Sequence, residues 1–509
     1  MAYTVDRAAI PRTYREYIEK LVEMGEAVEI NDEVDIKLEM GAICRHSYET
    51  RAEVPVFNSV SGTPEGEGFR ACDIGYTKSG TPGKEWCRLA VMLGLPPEAG
   101  LMDIQKAYLE ARDGTDVHDP VIVDAADAPC KENKWTGDEV DINKIPAPLA
   151  HDGDAGRYIG TAGVNIVRTP DESWTSWSIN RAMIVNKNTM TGLWLPSQHN
   201  GMVHDAWAKE GKDTPWAMAF GVPPVVLSQA SAKAPDYENE YDYASRLLGE
   251  GIRMVKCETN DLLVPADSEI VLEGYVSKDQ VESEGPFGEY QGYLPFDSVN
   301  RARVTVTCVT YRNKPLFPIS IPGKPIDSCT VGMGFFMSGD VLDALKKEGL
   351  PVVDAMLTME SALAWLVVRV CNDWHEKTGM AMEEFVRKIA TTLWTQHCGN
   401  VTTKLIVVNE DIDPDNVSDL SWAFATRNHP TKGTFGFPDI TNVVGTGLEA
   451  YHCQSDFIHG SGLTAYSCLP AESKTGQPLE RILTFEDNYP SNLQKKVVDN
   501  WDKWGFGKS

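Results

Sequence analysis

The chain has 509 residues, more than one hydrophobic core usually organises, and its 42% hydrophobic and 24% charged residues are typical of globular proteins. Its 47 basic and 74 acidic residues give a net charge of -27, a field that repels nucleic acids and anionic membrane surfaces. We therefore expect two or three domains and neither nucleic acid nor membrane as a partner. An anionic ligand would need a local cation or an arginine to hold it.

The cysteine content and the absence of targeting patterns predict a cytoplasmic protein. Eleven cysteines lie far apart with no Cys-x-x-Cys pair, which indicates reduced thiols. The amino terminus lacks the apolar stretch of a secretion signal, and no run of about 18 apolar residues occurs.

Residues 1–125 predict an α/β segment. Tyr14, Ile18, Leu21 and Val22 fall on one helical stripe, and Gly25 follows as a stop before the strand-like AVEI. Further helices are predicted for LEMGAICRHSYE, EWCRLAVMLGL and IQKAYLEAR, with short strands at VPVF and PVIVD.

Residues 126–325 show mainly strand patterns. The segments GVNIVRT, SWSINRAMIV, GLWLP, EIVLEGYV, ARVTVTCVTYR and LFPIS predict a barrel or a strongly curved sheet, interrupted by helices at MVHDAWAKEG and YDYASRLLGEG. Residues 326–490 return to alternating helix and strand patterns, which predict a second α/β domain. Residues 491–509 predict a terminal helix long enough to reach a neighbouring subunit.

Two glutamates in EGPFGEYQGY are candidates for proton chemistry. Glu284 and Glu289 would point to opposite faces of a straight strand, but Gly285, Pro286 and Gly288 can bend the chain and bring both carboxylates to one cavity. Neighbouring carboxylates disfavour each other's ionisation, so one of them could donate a proton near neutral pH. The alternative is a solvated surface turn, which the aromatic residues of the segment disfavour.

Arg181, His199 and Glu240 are further candidates. Arg181 lies in the aromatic SWTSWSINRAMI, where it would bind a substrate carboxylate, bind one of the glutamates, or form a structural salt bridge. His199 and Glu240 would suit Mg²⁺ or Mn²⁺, and such an ion would supply the positive charge that a phosphate needs. The alternative for His199 is a hydrogen-bonded loop histidine, and His204 is assigned no role.

At these residues the chain resembles the UbiD-type decarboxylases, in particular the fungal ferulic (cinnamic) acid decarboxylases. The likeness runs in one order through SWSINRAMI, MTGLWLPSQH, PWAMAFGVPP, MVKCETNDLLVPADSEIVLEG, EGPFGEYQGY, VTYRN, SWAFATR and KVVDNWDKWGF. It implies an amino-terminal α/β segment, a split β-barrel that binds the cofactor, and a carboxy-terminal α/β domain that forms homodimers or larger homo-oligomers.

The resemblance also implies the reversible, non-oxidative decarboxylation of an aromatic, heteroaromatic or arylacrylic acid with prenylated FMN, which a flavin prenyltransferase supplies. Such a cofactor is needed because no side chain can delocalise the carbanion left by CO₂. By position, Arg181 orients the carboxylate, Glu284 holds Arg181, and Glu289 protonates the carbon. The other functional classes considered are a metal-dependent hydrolase and a catalytically silent ligand-binding subunit.

The resemblance implies that Mn²⁺ or Mg²⁺ holds the flavin phosphate, with a potassium ion nearby. Its metal ligands would be Ser176, His199 and Glu240. The residues implied to contact the cofactor are Trp177, Ile179, Asn180, Arg181, Gln198, His199, Ala230 and Glu240.

Two positions depart from the family pattern. Ser176 replaces an Asn metal ligand, and Gly462 or a neighbour replaces a Lys over the cofactor, which suggests room for a bulkier acid such as phenazine-1-carboxylate. Ser176 and Arg181 are also an odd number of residues apart, so a regular strand could not place them on one face. We therefore expect a bulge near Ser178 or Asn180.

Overall fold

The computed structural model describes residues 3–295, 297–440 and 462–506. The first α-helix opens with a capping box between Thr13 and Glu16, and Gly25 follows its end with a φ of 71°. The amino-terminal region contains α1 (Tyr14–Glu23), α2 (Glu39–Thr50), α3 (Cys87–Met92), α4 (Leu101–Asp113), β1 (Ala27–Val34), β2 (Val54–Val60) and β3 (Arg70–Asp73). The predicted helix-to-strand opening is confirmed.

The central region is built on one large antiparallel sheet. The strands of the central region, not all of which join this sheet, are β4 (Val121–Ile122), β5 (Asn133–Thr136), β6 (Val164–Arg168), β7 (Thr175–Ile179), β8 (Ala182–Asn186), β9 (Thr189–Gly192), β10 (Thr214–Phe220), β11 (Arg253–Lys256), β12 (Leu263–Pro265), β13 (Ile270–Glu284), β14 (Val299–Tyr311) and β15 (Leu316–Ile319). Its helices are α5 (His199–Lys209), α6 (Pro224–Ala230) and α7 (Glu240–Leu248). The large sheet has the order β7-β6-β10-β13-β14-β9-β8, with β5 paired to β14.

The two edge strands of this sheet are consecutive in the chain. β7 ends at Ile179 and β8 begins at Ala182, so only Asn180 and Arg181 join strands that lie at opposite edges of the order. Because two residues span only a short distance, the sheet must curl until its edges meet. The result is a barrel that is split beside Arg181.

This connection also corrects the expected bulge. The pairing of β7 with β6 is regular from Thr175 to Ile179, with no extra residue at Ser178. The chain instead leaves the sheet at Asn180, and this break removes the parity constraint that a continuous strand would impose on Ser176 and Arg181.

The remaining strands of the central region join smaller sheets. β15 pairs in parallel with β3 and completes a four-stranded sheet of order β1-β2-β3-β15, while β12, β11 and β4 form a three-stranded sheet. The strand expected at GLWLP is wrong beyond Gly192, where β9 ends and a loop leads to α5.

The carboxy-terminal region is a second α/β unit, as predicted. It contains α8 (Ser328–Lys347), β16 (Val352–Leu357), β17 (Trp365–Val370), α9 (Trp374–Thr378), α10 (Met382–Trp394), β18 (Lys404–Asn409), α11 (Val417–Arg427), β19 (Thr434–Gly436), β20 (Thr464–Ser467), α12 (Phe485–Asn488) and α13 (Ser491–Asn500). Its sheet has the order β16-β17-β18-β20-β19. The terminal helix is present as α13 and buries none of its residues within this chain, while its contact with another subunit stays a prediction.

One hydrophobic core connects these regions. It extends from Tyr14 on α1 through Trp177 on β7 and Ala230 on α6 to Phe335 on α8, so the walls of the central region are packed against both neighbours. The ten cysteines that the structure describes are free thiols, and Cys453 lies outside the described residues. Within the described ranges, no helix has both the length and the apolar character needed to cross a bilayer.

Candidate active site

A cavity of about 250 Å³ lies where β7, the amino-terminal ends of α5 and α7, and α8 approach one another. All of the expected cofactor neighbours line this cavity, namely Trp177, Ile179, Asn180, Arg181, Gln198, His199, Ala230 and Glu240. Glu289 lines it as well, so the structure brings the candidate catalytic and binding residues to one place.

Arg181 joins the two glutamates of EGPFGEYQGY. Its Nε and Nη2 donate to Oε1 and Oε2 of Glu284 at 3.0 and 2.9 Å, and its Nη1 forms an ion pair with Glu289. Glu284 is 2% exposed, whereas the Glu289 side chain is 22% exposed. The guanidinium is therefore held by a buried carboxylate on one side and meets a more accessible carboxylate on the other.

Tyr158 completes the support of Glu284. Its hydroxyl donates to Glu284 Oε1 at 2.8 Å, and its ring centroid lies 3.9 Å from that of Phe287, over which the Arg181 guanidinium sits at 5.6 Å. Burial and the nearby Glu284 raise the pKa of Tyr158, so the phenol keeps its proton and remains a donor. Sequence reasoning missed this residue, because no motif marks it and Glu284 is 126 positions away.

The loop between the two glutamates is fixed by contacts with residues 151–154. Gly288 N donates to Asp154 Oδ1 at 2.8 Å, and Asp154 Oδ2 lies 3.1 Å from His151 Nδ1. A Cβ at Gly288 would lie 2.5 Å from that imidazole nitrogen, so a larger residue would displace the His151 ring from Asp154 and from the Pro322 carbonyl. The bend predicted from the turn residues is therefore held by tertiary contacts.

His199 stands at the centre of a second group, the histidine cluster, which comprises His199, Asp236, Glu240 and His397. His199 Nδ1 lies 3.1 Å from Glu240 Oε1 and Nε2 lies 3.1 Å from Asp236 Oδ1, while the His397 ring stacks on it at 4.3 Å. His199, Asp236 and His397 offer ligand atoms within 4.8 Å of one another, so a metal ion could bind here. Sequence reasoning missed Asp236, although it stands near Glu240 in an acidic segment, and His397, which no motif marks.

Ser176 provides a test of whether a divalent ion fits this region. Its Oγ is fully buried, and none of the described residues gives it a hydrogen-bond partner. Trp177 N donates to Glu240 Oε2 at 2.8 Å, which links β7 to the cluster. Ser176 does not itself line the cavity, but an orphaned hydroxyl on the residue before Trp177, together with the imidazole and carboxylate donors of the cluster, suits Mg²⁺ or Mn²⁺.

Lys233 is a buried cation of the same cavity that sequence reasoning also missed. Its Nζ donates to Gln198 Oε1, and burial lowers its pKa to about 8. Burial lowers the pKa of His397 to about 2, with Lys233 and His199 acting in the same direction, so the His397 imidazole is neutral.

The remaining lining suits an aromatic ligand that carries polar groups. Ile74, Leu193, Met333, Met337 and Val401 contribute apolar surface, and the buried Ser320 Oγ lacks a partner among the described residues. A flavin, which is both flat and polar at its edges, fits such a lining. Gly462 is not among the described residues of the lining, and its neighbours Gly460 and Ser461 lie outside the described ranges.

Three protein-family models match successive parts of the chain. Residues 18–108, 121–325 and 331–461 match the amino-terminal, Rift-related and carboxy-terminal domains of 3-octaprenyl-4-hydroxybenzoate carboxy-lyase, UbiD. The chain belongs to the UbiD family. The family and the mixed α/β architecture expected from the sequence are therefore confirmed.

Individual relatives match almost the whole length of the chain. It is 36% identical over 495 residues to pyrrole-2-carboxylic acid decarboxylase of Pseudomonas aeruginosa, with 97% of this chain and 98% of the relative covered. It is 32% identical over 498 residues to ferulic acid decarboxylase 1 of Saccharomyces cerevisiae, with 97% and 98% covered.

A solved UbiD-class structure has the same fold. HmfF from Pelotomaculum thermopropionicum in complex with FMN superimposes with a TM-score of 0.76 at 25% identity, covering 96% of this chain and 99% of that one. An evolved dimeric form of HmfF in complex with prFMN superimposes with a TM-score of 0.74 at 24% identity and the same coverage.

Proposed function

We propose that this UbiD-family chain is a carboxy-lyase that reversibly decarboxylates an aromatic, heteroaromatic or arylacrylic acid with prenylated FMN. The observation that carries the proposal is Arg181, which contacts both the buried Glu284 and the more accessible Glu289 at the wall of one cavity. Two relatives that each cover 97% of the chain are named as decarboxylases of a heteroaromatic and an arylacrylic acid, which supports this substrate class.

Arg181, Glu284 and Glu289 have different roles in the proposed reaction. Prenylated FMN, when bound, supplies the electron sink that decarboxylation at an sp² carbon requires. Glu284 holds two N–H groups of Arg181 and fixes the plane of its guanidinium, while Nη1 faces Glu289 and can meet a substrate carboxylate there. Glu289, the more accessible acid, delivers a proton to the carbon that CO₂ has left.

The cavity walls favour this chemistry. Apolar groups such as Phe287, Met333 and Met337 exclude water, and the weaker screening strengthens the hold of Arg181 on an anion. The same walls suit flat ring systems, so polycyclic acids such as phenazine-1-carboxylate belong in the substrate panel beside ferulic and cinnamic acids.

The finer parts of the proposal concern the metal and the partners. Ser176, His199 and Glu240 would hold Mn²⁺ or Mg²⁺ against the flavin phosphate, and the orphaned Ser176 Oγ supports this arrangement. A flavin prenyltransferase supplies the cofactor, and α13 pairs the chain with a second copy.

Production with and without a flavin prenyltransferase tests the function. Protein made with that enzyme should carry flavin-type absorbance and release CO₂ from at least one aromatic acid, whereas protein made without it should release none. Absence of both signals from the co-produced protein would contradict the proposal. Hydrolysis of an ester or amide panel without flavin would favour the metal-dependent hydrolase instead.

A further inference from the structure

Lys233 is the one lysine among the residues that line the described cavity, and it has no counter-ion there. It is 9% exposed, and Gln198 Oε1 accepts the one side-chain hydrogen bond that the described residues provide. An ammonium carries three donors, and burying it without an anion is costly. The position therefore calls for a negatively charged ligand.

The carboxylates nearest to Lys233 are engaged elsewhere. Asp340 Oδ1 pairs with Arg112 at 2.6 Å, and its Oδ2 accepts the backbone N–H of Lys233 at 2.7 Å. Asp236 and Glu240 both meet His199, at 3.1 Å. None of the described acidic residues forms an ion pair with the Lys233 ammonium, and its hydrogen bond to Gln198 places it at the wall of the cavity.

Two helix amino termini open on the same part of the cavity. α5 begins at His199 and α7 begins at Glu240, and neither N-cap side chain accepts from the first N–H groups of its helix, although Gly201 N of α5 donates to Asn200 Oδ1. Unpaired N–H groups and the helix dipole favour an anion at such an end. In a chain with a net charge of -27, these helix ends and Lys233 supply positive charge beside Asp236 and Glu240, whose oxygens meet His199.

We propose that Lys233 is a fixed cationic partner of the phosphate of the bound flavin, and that it replaces the separately bound potassium ion expected from the family resemblance. The inference rests on the proposed function for the identity of the ligand. Because the ammonium is part of the chain, phosphate binding does not depend on which monovalent cation is in solution.

Comparing FMN with riboflavin, which lacks the phosphate, shows whether Lys233 binds the phosphate or only stabilises the cavity as a whole. The full chain would be titrated with each flavin at constant MnCl₂, in NaCl and in KCl, and Kd followed by flavin fluorescence. Lys233→Met should weaken FMN binding about 10-fold or more and leave riboflavin binding within about 2-fold. Lys233→Arg should retain most of the FMN affinity.

A surface lysine gives the matched control. Lys212 pairs with Glu210 and is largely exposed, so Lys212→Met removes the same charge from the chain and should change neither affinity. Because Lys233→Met removes an unpaired buried charge, the Tm of the flavin-free chain should stay constant or rise. The increase in Tm that FMN produces should fall in this variant.

Three results would overturn the inference. These are an equal loss of FMN and riboflavin binding in Lys233→Met, a wild-type chain that does not prefer FMN to riboflavin, and FMN binding that is 10-fold tighter in KCl than in NaCl. If the chain binds FMN selectively through Lys233 but releases no CO₂, Lys233 still binds the flavin phosphate and only the proposed function is contradicted.

Discussion

Arg181 holds Glu284 through two parallel hydrogen bonds of 3.0 and 2.9 Å, and the two residues are 103 positions apart in the chain. The arginine stands at the split of the barrel, and the glutamate is the last residue of β13. Closure of the barrel thus orients the Arg181 guanidinium, and its remaining nitrogen, Nη1, contacts Glu289.

Arg181→Lys should lower kcat/KM for CO₂ release about 100-fold or more. An ammonium keeps the charge, but it cannot bind Glu284 through two parallel bonds and also meet a second carboxylate. Steady-state kinetics measure the loss. Arg303→Lys is the matched control, because Arg303 pairs with Glu282 away from the cavity and its replacement should preserve activity. Native kinetics in Arg181→Lys would make Arg181 a structural residue only.

Glu289→Gln should reduce CO₂ release by about 100-fold to 10,000-fold while flavin remains bound, because the amide keeps the shape and removes the acidic proton. Activity and flavin absorbance would be measured on the same preparation. Glu282→Gln, on β13 and absent from the cavity lining, should retain activity. If Glu289→Gln turns over at the native rate, another group donates the proton.

Ser176→Ala should weaken Mn²⁺ binding about 10-fold or more, since it removes the buried hydroxyl that the described residues leave unpaired. Metal affinity would be measured by calorimetry or by electron paramagnetic resonance of free Mn²⁺. Ser173→Ala, on the exposed loop before β7, is the control and should change nothing. Unchanged affinity in Ser176→Ala, together with a loss in Asp236→Asn, would move the ion to His199, Asp236 and His397.

We expect the buried carboxyl of Asp327 to make the stability of the folded chain depend on pH. Its carboxyl accepts from Thr330 N at 2.8 Å at the start of α8, and burial raises its pKa from 3.8 to about 6. Because the pKa in the folded state exceeds that in the unfolded state, the folded chain binds this proton more tightly, and the associated stability is lost as pH rises from about 4 to about 6.

Asp327→Asn removes this titration. The Tm of the variant minus that of the wild type should therefore rise between about pH 4 and pH 6 and be constant above pH 7. Thermal unfolding of the flavin-free chains checks this, with the exposed Asp32→Asn as a control that should track the wild type. A difference in Tm that is independent of pH would contradict the raised pKa.

The sequence by itself determined the features that depend on neighbouring residues. The stripe of α1 and its glycine stop, the two helices inserted in the barrel, and the turn residues of EGPFGEYQGY are local patterns, and the structure confirms the elements they predict. The ordered series of family segments also identified the family, because many segments in one order carry far more information than any single motif.

The tertiary structure decided which distant side chains meet. Tyr158 reaches Glu284, His397 stacks on His199, and Lys233 faces the cavity, although no spacing in the chain links these residues to one another. The break at Asn180 likewise lies where the closure of the sheet brings β7 and β8 together, and strand periodicity carries no information about that closure. Local patterns encode helices, strands and turns, whereas the site depends on how the barrel and α8 pack around one cavity.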